Sequence, residues 1–172
     1  ALAPARSDSG AEMGAQSARA VLQLEERGIT TKDILTDKAI ENAMVVHAAF
    51  GCSTNLLLHL PAIAHAAGCK IPTVKDWARI NKEVPRLVSV LPVGPVNHPT
   101  SRVFLAGGVP EVMLHLRKLG LLHEDVMTVT GHTLKENLDW WEQSERRKKC
   151  QDRLVAADKV QVDEVSMSPE QA

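Results

Sequence analysis

The feature that most constrains this chain is how closely its helix stops and starts are spaced. Gly28, Gly51, Gly68 and Gly120 each follow an apolar stretch of helical period. Glycine tolerates the left-handed conformation in which many helices end. The starts are equally local. Thr73 with Asp76, and Thr133 with Glu136, have the three-residue offset at which two side chains satisfy each other's backbone N–H groups. Such punctuation predicts many helices of ten to fifteen residues and leaves little room for strands.

The expected stripes follow. Met13, Ser17, Val21 and Leu24 mark a first helix over 13–27. Ile40, Ala43, Met44 and His47 mark a second, capped by Asp37 and running to about Phe50. A third should run from Ser53 to Ala67, with a kink at Pro61, which lacks a backbone donor. Val74, Trp77 and Ile80 face inward on a fourth. Pro110 suits the first turn of a fifth, with Val112, Met113, Leu116 and Leu119 as its stripe. Leu134, Leu138 and Trp141 line a sixth, which is expected to continue to about Lys149 on the basic run Glu145-Arg146-Arg147-Lys148-Lys149. Residues 86–91 and 125–130 are the candidate strands, and 92–101, with three prolines, a long ordered loop. The expected fold class is thus an α-rich fragment of an α/β domain, with about six helices and one or two short strands. The expected divisions are a loose segment at 1–11, the body of the domain at 12–149 and a charged tail at 150–172.

At 172 residues the chain can enclose one real core. Its formal net charge of -1, with acids and bases interspersed, makes nucleic acid or an anionic membrane an unsuitable partner. Aromatic residues are only 3%, with no Tyr, too few for base stacking. No apolar run approaches the ~20 residues that span a bilayer. Ala1-Leu2-Ala3-Pro4-Ala5-Arg6 has no basic region leading an apolar core, so no secretory signal is expected. Three cysteines, Cys52, Cys69 and Cys150, form no C-x-x-C pair, which favours a reducing cytoplasm over a disulfide framework. None of the seven histidines has the spacing that puts two ligands on one helical face. His47 reads as a hydrogen-bonded core residue. Trp77, Trp140 and Trp141 read as packing residues, with one of the adjacent pair facing out.

One stretch carries more chemistry than the rest. Gly51-Cys52-Ser53-Thr54-Asn55 leads into the apolar helix Leu56-Leu57-Leu58-His59-Leu60. Ser, Thr and Asn side chains accept hydrogen bonds from first-turn N–H groups, and the positive end of a helix seats a carboxylate or phosphate. A cap with no ligand is the simpler reading of these residues alone. Two further stretches follow: Leu105-Ala106-Gly107-Gly108-Val109-Pro110 and Thr128-Val129-Thr130-Gly131-His132-Thr133-Leu134-Lys135-Glu136-Asn137-Leu138.

In this order the three stretches resemble the dihydroxy-acid and sugar-acid dehydratases, whose pattern reads G-G-S-T-N, A-G-G-[IV]-P and T-V-T-G-x-T-L-x-E-N-L. The segments 62–68, 74–81, 84–92, 137–142 and 163–169 look like the aldonic-acid branch. The resemblance implies a hydro-lyase that turns a 2,3-dihydroxy acid, here a D-xylonate-like aldonate, into a 2-keto-3-deoxy acid. It implies an iron–sulfur cluster and Mg²⁺, with ligands outside this chain, so no catalytic or metal-binding residue is expected here. Ser53, Thr54 and Asn55 are the expected substrate-binding residues, and Gly107-Gly108 is expected to be structural. The expected partners are a small sugar acid, the remainder of the same polypeptide and, at full length, further copies of it. Because the chain starts without Met inside the first domain of this family, it is expected to be an internal piece, inactive alone. Cys52 departs from the family's second glycine; at positive φ it would cost ~1 kcal/mol or more. The other readings are a dehydratase of branched or phosphorylated dihydroxy acids, and a non-catalytic helical interaction module.

Overall fold

The computed structural model describes residues 8–51, 53–90, 96 and 98–171. Within them the chain forms ten α-helices: α1 (Asp8–Glu26), α2 (Thr31–Ile34), α3 (Asp37–Phe50), α4 (Leu56–Ala67), α5 (Val74–Glu83), α6 (Thr100–Ala106), α7 (Gly108–Lys118), α8 (Leu134–Gln143), α9 (Glu145–Arg153) and α10 (Val162–Val165). A single π-helical turn, Leu154–Asp158, follows α9. The architecture is helix-rich, as the punctuation implies, but has more helices than the expected six. α2 and α10 are single turns, too short to show a stripe. α6 begins inside the proline-rich 92–101 stretch, of which 92–95 and 97 lie outside the described residues. The expected sixth helix is two: Ser144 leaves the helical conformation, and its hydroxyl accepts from Arg147 N–H at 3.2 Å to open α9.

Neither expected strand forms a ladder among the described residues: 86–90 pairs at isolated points, Leu91 lies outside the described residues, and 125–130 is turn at both ends, with a single bridge at Met127. Val88 bridges Ser166, Val90 bridges His98, and Met127 bridges Thr133. Within 86–90, Val88 pairs antiparallel with Ser166 and Val90 parallel with His98, each at a single point, so no ladder extends along the segment among the described residues. Leu87 N–H donates to Ala49 C=O at 2.8 Å, Ser89 N–H to Val165 C=O at 3.1 Å, and Met167 N–H to Leu87 C=O at 2.7 Å.

α3 runs through the core. Ile40, Met44, Val45, Ala48 and Ala49 are buried against Trp77 and Ile80 of α5 and Val112 and Leu116 of α7. A smaller cluster joins Leu114 to Val126, Leu134, Leu138 and Trp141. Thr36 rather than Asp37 caps α3, accepting from Ala39 N–H at 3.2 Å; Asp37 turns outward and accepts from Lys70 N–H at 2.7 Å. Val74, expected inward, is 85% exposed, since the opening residue of α5 lies beyond the face that carries Trp77 and Ile80. Leu119, expected on the inner stripe of α7, is likewise exposed.

Residues 150–172 contribute core. Leu154 and Val165 are fully buried and Val160 nearly so, each worth roughly 1.5–3 kcal/mol of apolar transfer. Residues 1–7 and Cys52 lie outside the described residues; residues 8–11 form the first turn of α1.

Candidate functional site

α3 ends at Gly51, in the left-handed conformation, and α4 begins at Leu56. Ser53, Thr54 and Asn55 form the exposed turn between them, so the helix expected to open at Ser53 opens three residues later. The turn closes its own backbone tightly. Ser53 Oγ accepts from Asn55 N–H at 3.2 Å, Ser53 C=O from Leu56 N–H at 3.2 Å, and Thr54 C=O from Leu57 N–H at 3.0 Å. Asn55 makes no side-chain cap. Among the described residues, the Thr54 N–H, its hydroxyl and the Asn55 carboxamide have no hydrogen-bond partner.

Ser53 and Asn55 open onto a groove of about 730 Å³; Thr54 is exposed but outside its lining. The rest of the wall brings distant segments together. α3 supplies Asn42, Val46 and His47, α4 supplies Leu56 and His59, α7 supplies Val109 and Met113, and the 126–134 segment supplies Val126, Met127, Thr128, Val129 and Leu134. All three sequence stretches therefore meet on one concave surface. Its lining is mainly apolar, with polar atoms supplied by Asn42, His47, Ser53, Asn55, His59 and Thr128.

Two devices hold the far wall. The first is at the α6–α7 elbow. Gly107 has φ 126°, and a Cβ there would lie 2.7 Å from Glu111 Cβ, so glycine is required by both conformation and space. Glu111 is buried and takes the Arg147 guanidinium on both oxygens, at 2.6 and 2.7 Å, with the Trp141 indole N–H 3.4 Å away. That carboxylate raises the Arg147 pKa further. Gly107 is thus required by the backbone.

The second device is the turn before α8. Asn137 donates to Thr128 Oγ1 at 2.7 Å and to Thr133 C=O at 3.0 Å, and accepts from Thr130 Oγ1 at 2.9 Å. Gly131, at φ 76°, has the Arg27 guanidinium where a Cβ would stand. Thr133 and Glu136 complete the expected capping box, and their hydrogen bonds lower the Glu136 pKa.

Sequence reasoning did not single out Asn42, His47 or Thr128 as lining this groove. His47 carried a signal: it sits one turn before Gly51, where a ring on the last turn of α3 can reach the 53–55 turn. Its Nε2–H donates to Ser53 C=O at 3.0 Å.

The metal chemistry of the resemblance finds no fit here. Among the described residues no three His, Cys, Asp or Glu side chains gather in a group that could hold a metal. The Cys69 thiol donates to Leu35 C=O at 3.1 Å, and Cys150 sits half-buried on α9. Neither suits an iron–sulfur cluster or Mg²⁺. A polar cavity of about 160 Å³ between α3 and α5 is self-paired. Glu41 is held below the usual carboxylate range by Arg79 and then His123, and Asp76 is lowered to about 2 by Thr73 and then Lys70.

Residues 1–137 match the family model described as dihydroxy-acid/6-phosphogluconate dehydratase, N-terminal. The chain belongs to this dehydratase family. Over its whole length it is 70% identical to D-xylonate dehydratase YjhG and 67% identical to D-xylonate dehydratase YagF, both of Escherichia coli K12. It is also 51% identical, over 72% of its length, to a dihydroxy-acid dehydratase of Mycobacterium ulcerans. The chain spans about a quarter of the length of the two D-xylonate dehydratases, 26% of each. Similarity to this dihydroxy-acid dehydratase covers 124 residues, whereas similarity to the two D-xylonate dehydratases covers all 172.

Proposed function

We propose that this chain is the part of a sugar-acid hydro-lyase, within its N-terminal α/β domain, that forms one wall of the substrate site. The complete enzyme removes water from a D-xylonate-like aldonate and releases a 2-keto-3-deoxy acid. Ser53, Thr54 and Asn55 bind the substrate. The Thr54 N–H and hydroxyl, the Asn55 carboxamide and the Ser53 O–H donor receive its carboxylate or a hydroxyl at the positive end of α4.

The observation that carries this reading is the meeting of the three stretches around one groove whose helix start keeps its side-chain donors unspent. Identity over the whole of this chain to enzymes named for D-xylonate favours an aldonate over a branched acid. An iron–sulfur cluster, as Lewis acid toward the departing hydroxyl, and Mg²⁺, as organiser of the carboxylate, are assigned to other parts of the full-length enzyme. No helix among the described residues is long and apolar enough to cross a membrane, which accords with a cytoplasmic enzyme. α4 leaves Leu57, Leu58 and Ile63 exposed, which accords with a surface meeting the remaining polypeptide or another copy.

The test is formation of 2-keto-3-deoxy acid by the full-length enzyme across a panel of aldonates and branched dihydroxy acids. D-xylonate or a close pentonate should be preferred, and Asn55→Ala should raise its KM about tenfold, the worth of one hydrogen bond to a charged group. Turnover of branched acids alone, or an unchanged KM in the variant, would contradict the reading.

A further inference from the structure

We propose that His47 is a positioning residue for the substrate site, an inference that rests on the binding role assigned above to residues 53–55. Its Nε2–H is the one side-chain donor reaching back to that turn among the described residues, at 3.0 Å from Ser53 C=O. The opposite ring nitrogen, Nδ1, is buried without a partner. The neutral tautomer with its proton on Nε2 suits both facts, because a proton on Nδ1 would be a buried donor with no acceptor. Trp77 of α5 meets the imidazole edge to face, with centroids 5.4 Å apart and planes at 71°, and so fixes the ring's direction.

The consequence for the turn follows from peptide geometry. In a planar trans peptide the C=O of one residue and the N–H of the next point in opposite directions. Holding Ser53 C=O toward His47 therefore directs the Thr54 N–H away from the helix pair, where among the described residues it meets no acceptor. The same carbonyl accepts Leu56 N–H in the turn that leads into α4, so the imidazole also sets how the chain enters that helix. His47 does not act on the substrate; it holds the groups that do. A chain of contacts thus runs from Trp77 in the core through His47 to the binding turn.

Two substitutions separate the donor from the ring. His47→Phe keeps an aromatic ring against Trp77 and removes the donor. His47→Gln removes the ring and keeps an N–H at a similar reach. In the full-length enzyme with D-xylonate, the phenylalanine variant should raise KM about tenfold with kcat within about twofold, the pattern of lost ground-state binding. The glutamine variant should return KM to within about threefold of wild type. Should the phenylalanine variant not fold, the smaller His47→Leu takes its place, with melting temperature measured alongside. Unchanged KM in the donor-less variant, or equal KM increases in both, would overturn the proposal. Asn55→Ala tells the two levels apart. If it raises KM while His47→Phe does not, the positioning role fails and the binding role stands. If neither raises KM, the binding role itself fails.

Discussion

Two helix starts in this molecule look alike in sequence and differ in what they leave unspent. α8 opens with a closed account of its donors. Leu134 N–H goes to Val126 C=O, Lys135 N–H to Glu124 C=O, Glu136 N–H to Thr133 Oγ1, and Thr133 N–H to Glu136 Oε2. Asn137 ties off the preceding threonines. α4 opens on Ser-Thr-Asn, equally good capping residues, yet Asn55 caps nothing, and its carboxamide and the Thr54 hydroxyl face solvent unpaired. Residue type alone does not distinguish a structural cap from a binding turn. What distinguishes them is whether a partner three residues on, here Glu136 but at α4 the apolar Leu58, consumes the donors.

If closed elements carry stability and the open turn carries binding, substitutions should sort accordingly. Glu111→Ala should cost most, about 3 kcal/mol or more, because it strands the Arg147 charge beside the core. Chemical denaturation would read this as a lower midpoint at unchanged slope. Gly131→Ala comes next at roughly 1–2 kcal/mol, since alanine at positive φ is strained and must also displace Arg27. Thr133→Ala removes the α8 cap for about 1 kcal/mol, visible as a few degrees in melting temperature. Ser53→Ala and Asn55→Ala should change stability by no more than about 0.5 kcal/mol, because they remove few or no folding contacts. A loss at Asn55 as large as that at Thr133 would erase the distinction between the two starts.

Acid should sharpen the contrast by a smaller effect. Asp76 at the start of α5 and Glu136 at the start of α8 both have depressed pKa values, Asp76 down to about 2 from an ordinary 3.8. A depressed carboxylate contributes stability that is present above its unfolded pKa and lost as pH falls through its folded one. Amide exchange at the α5 start should therefore accelerate between pH 3.8 and about 2, and the α8 start should fray below the ordinary glutamate range. α4 has no acidic residue in its first turn and should not respond.

Much of this was legible in the chain because it is local. The boxes at Thr73–Asp76 and Thr133–Glu136 and the ends of α3 and α4 at Gly51 and Gly68 depend on neighbours three or four residues away. So does the choice between Trp140, 61% exposed, and Trp141, 7% exposed, which follows the Leu134–Leu138 face. What escaped depends on distant partners. Val160 and Val165 look like stray apolar residues in a charged stretch until residues 87–89 pair beside them. The break at Ser144 is masked because charged residues on either side favour helix equally well. At the candidate site, Ser53 and Asn55 were legible as chemistry and His47 carried a local signal in its place one turn before Gly51, but Thr128 joins the groove only through packing of α3 against a segment some eighty residues away.

Hydrogen exchange on the full-length enzyme, with and without a 3-deoxy aldonate that has no hydroxyl to lose, tests the difference between the two helix starts most directly. The ligand should slow exchange in peptides covering residues 53–58 and leave those covering 131–138 unchanged. No protection at 53–58, or protection confined to the start of α8, would contradict the account.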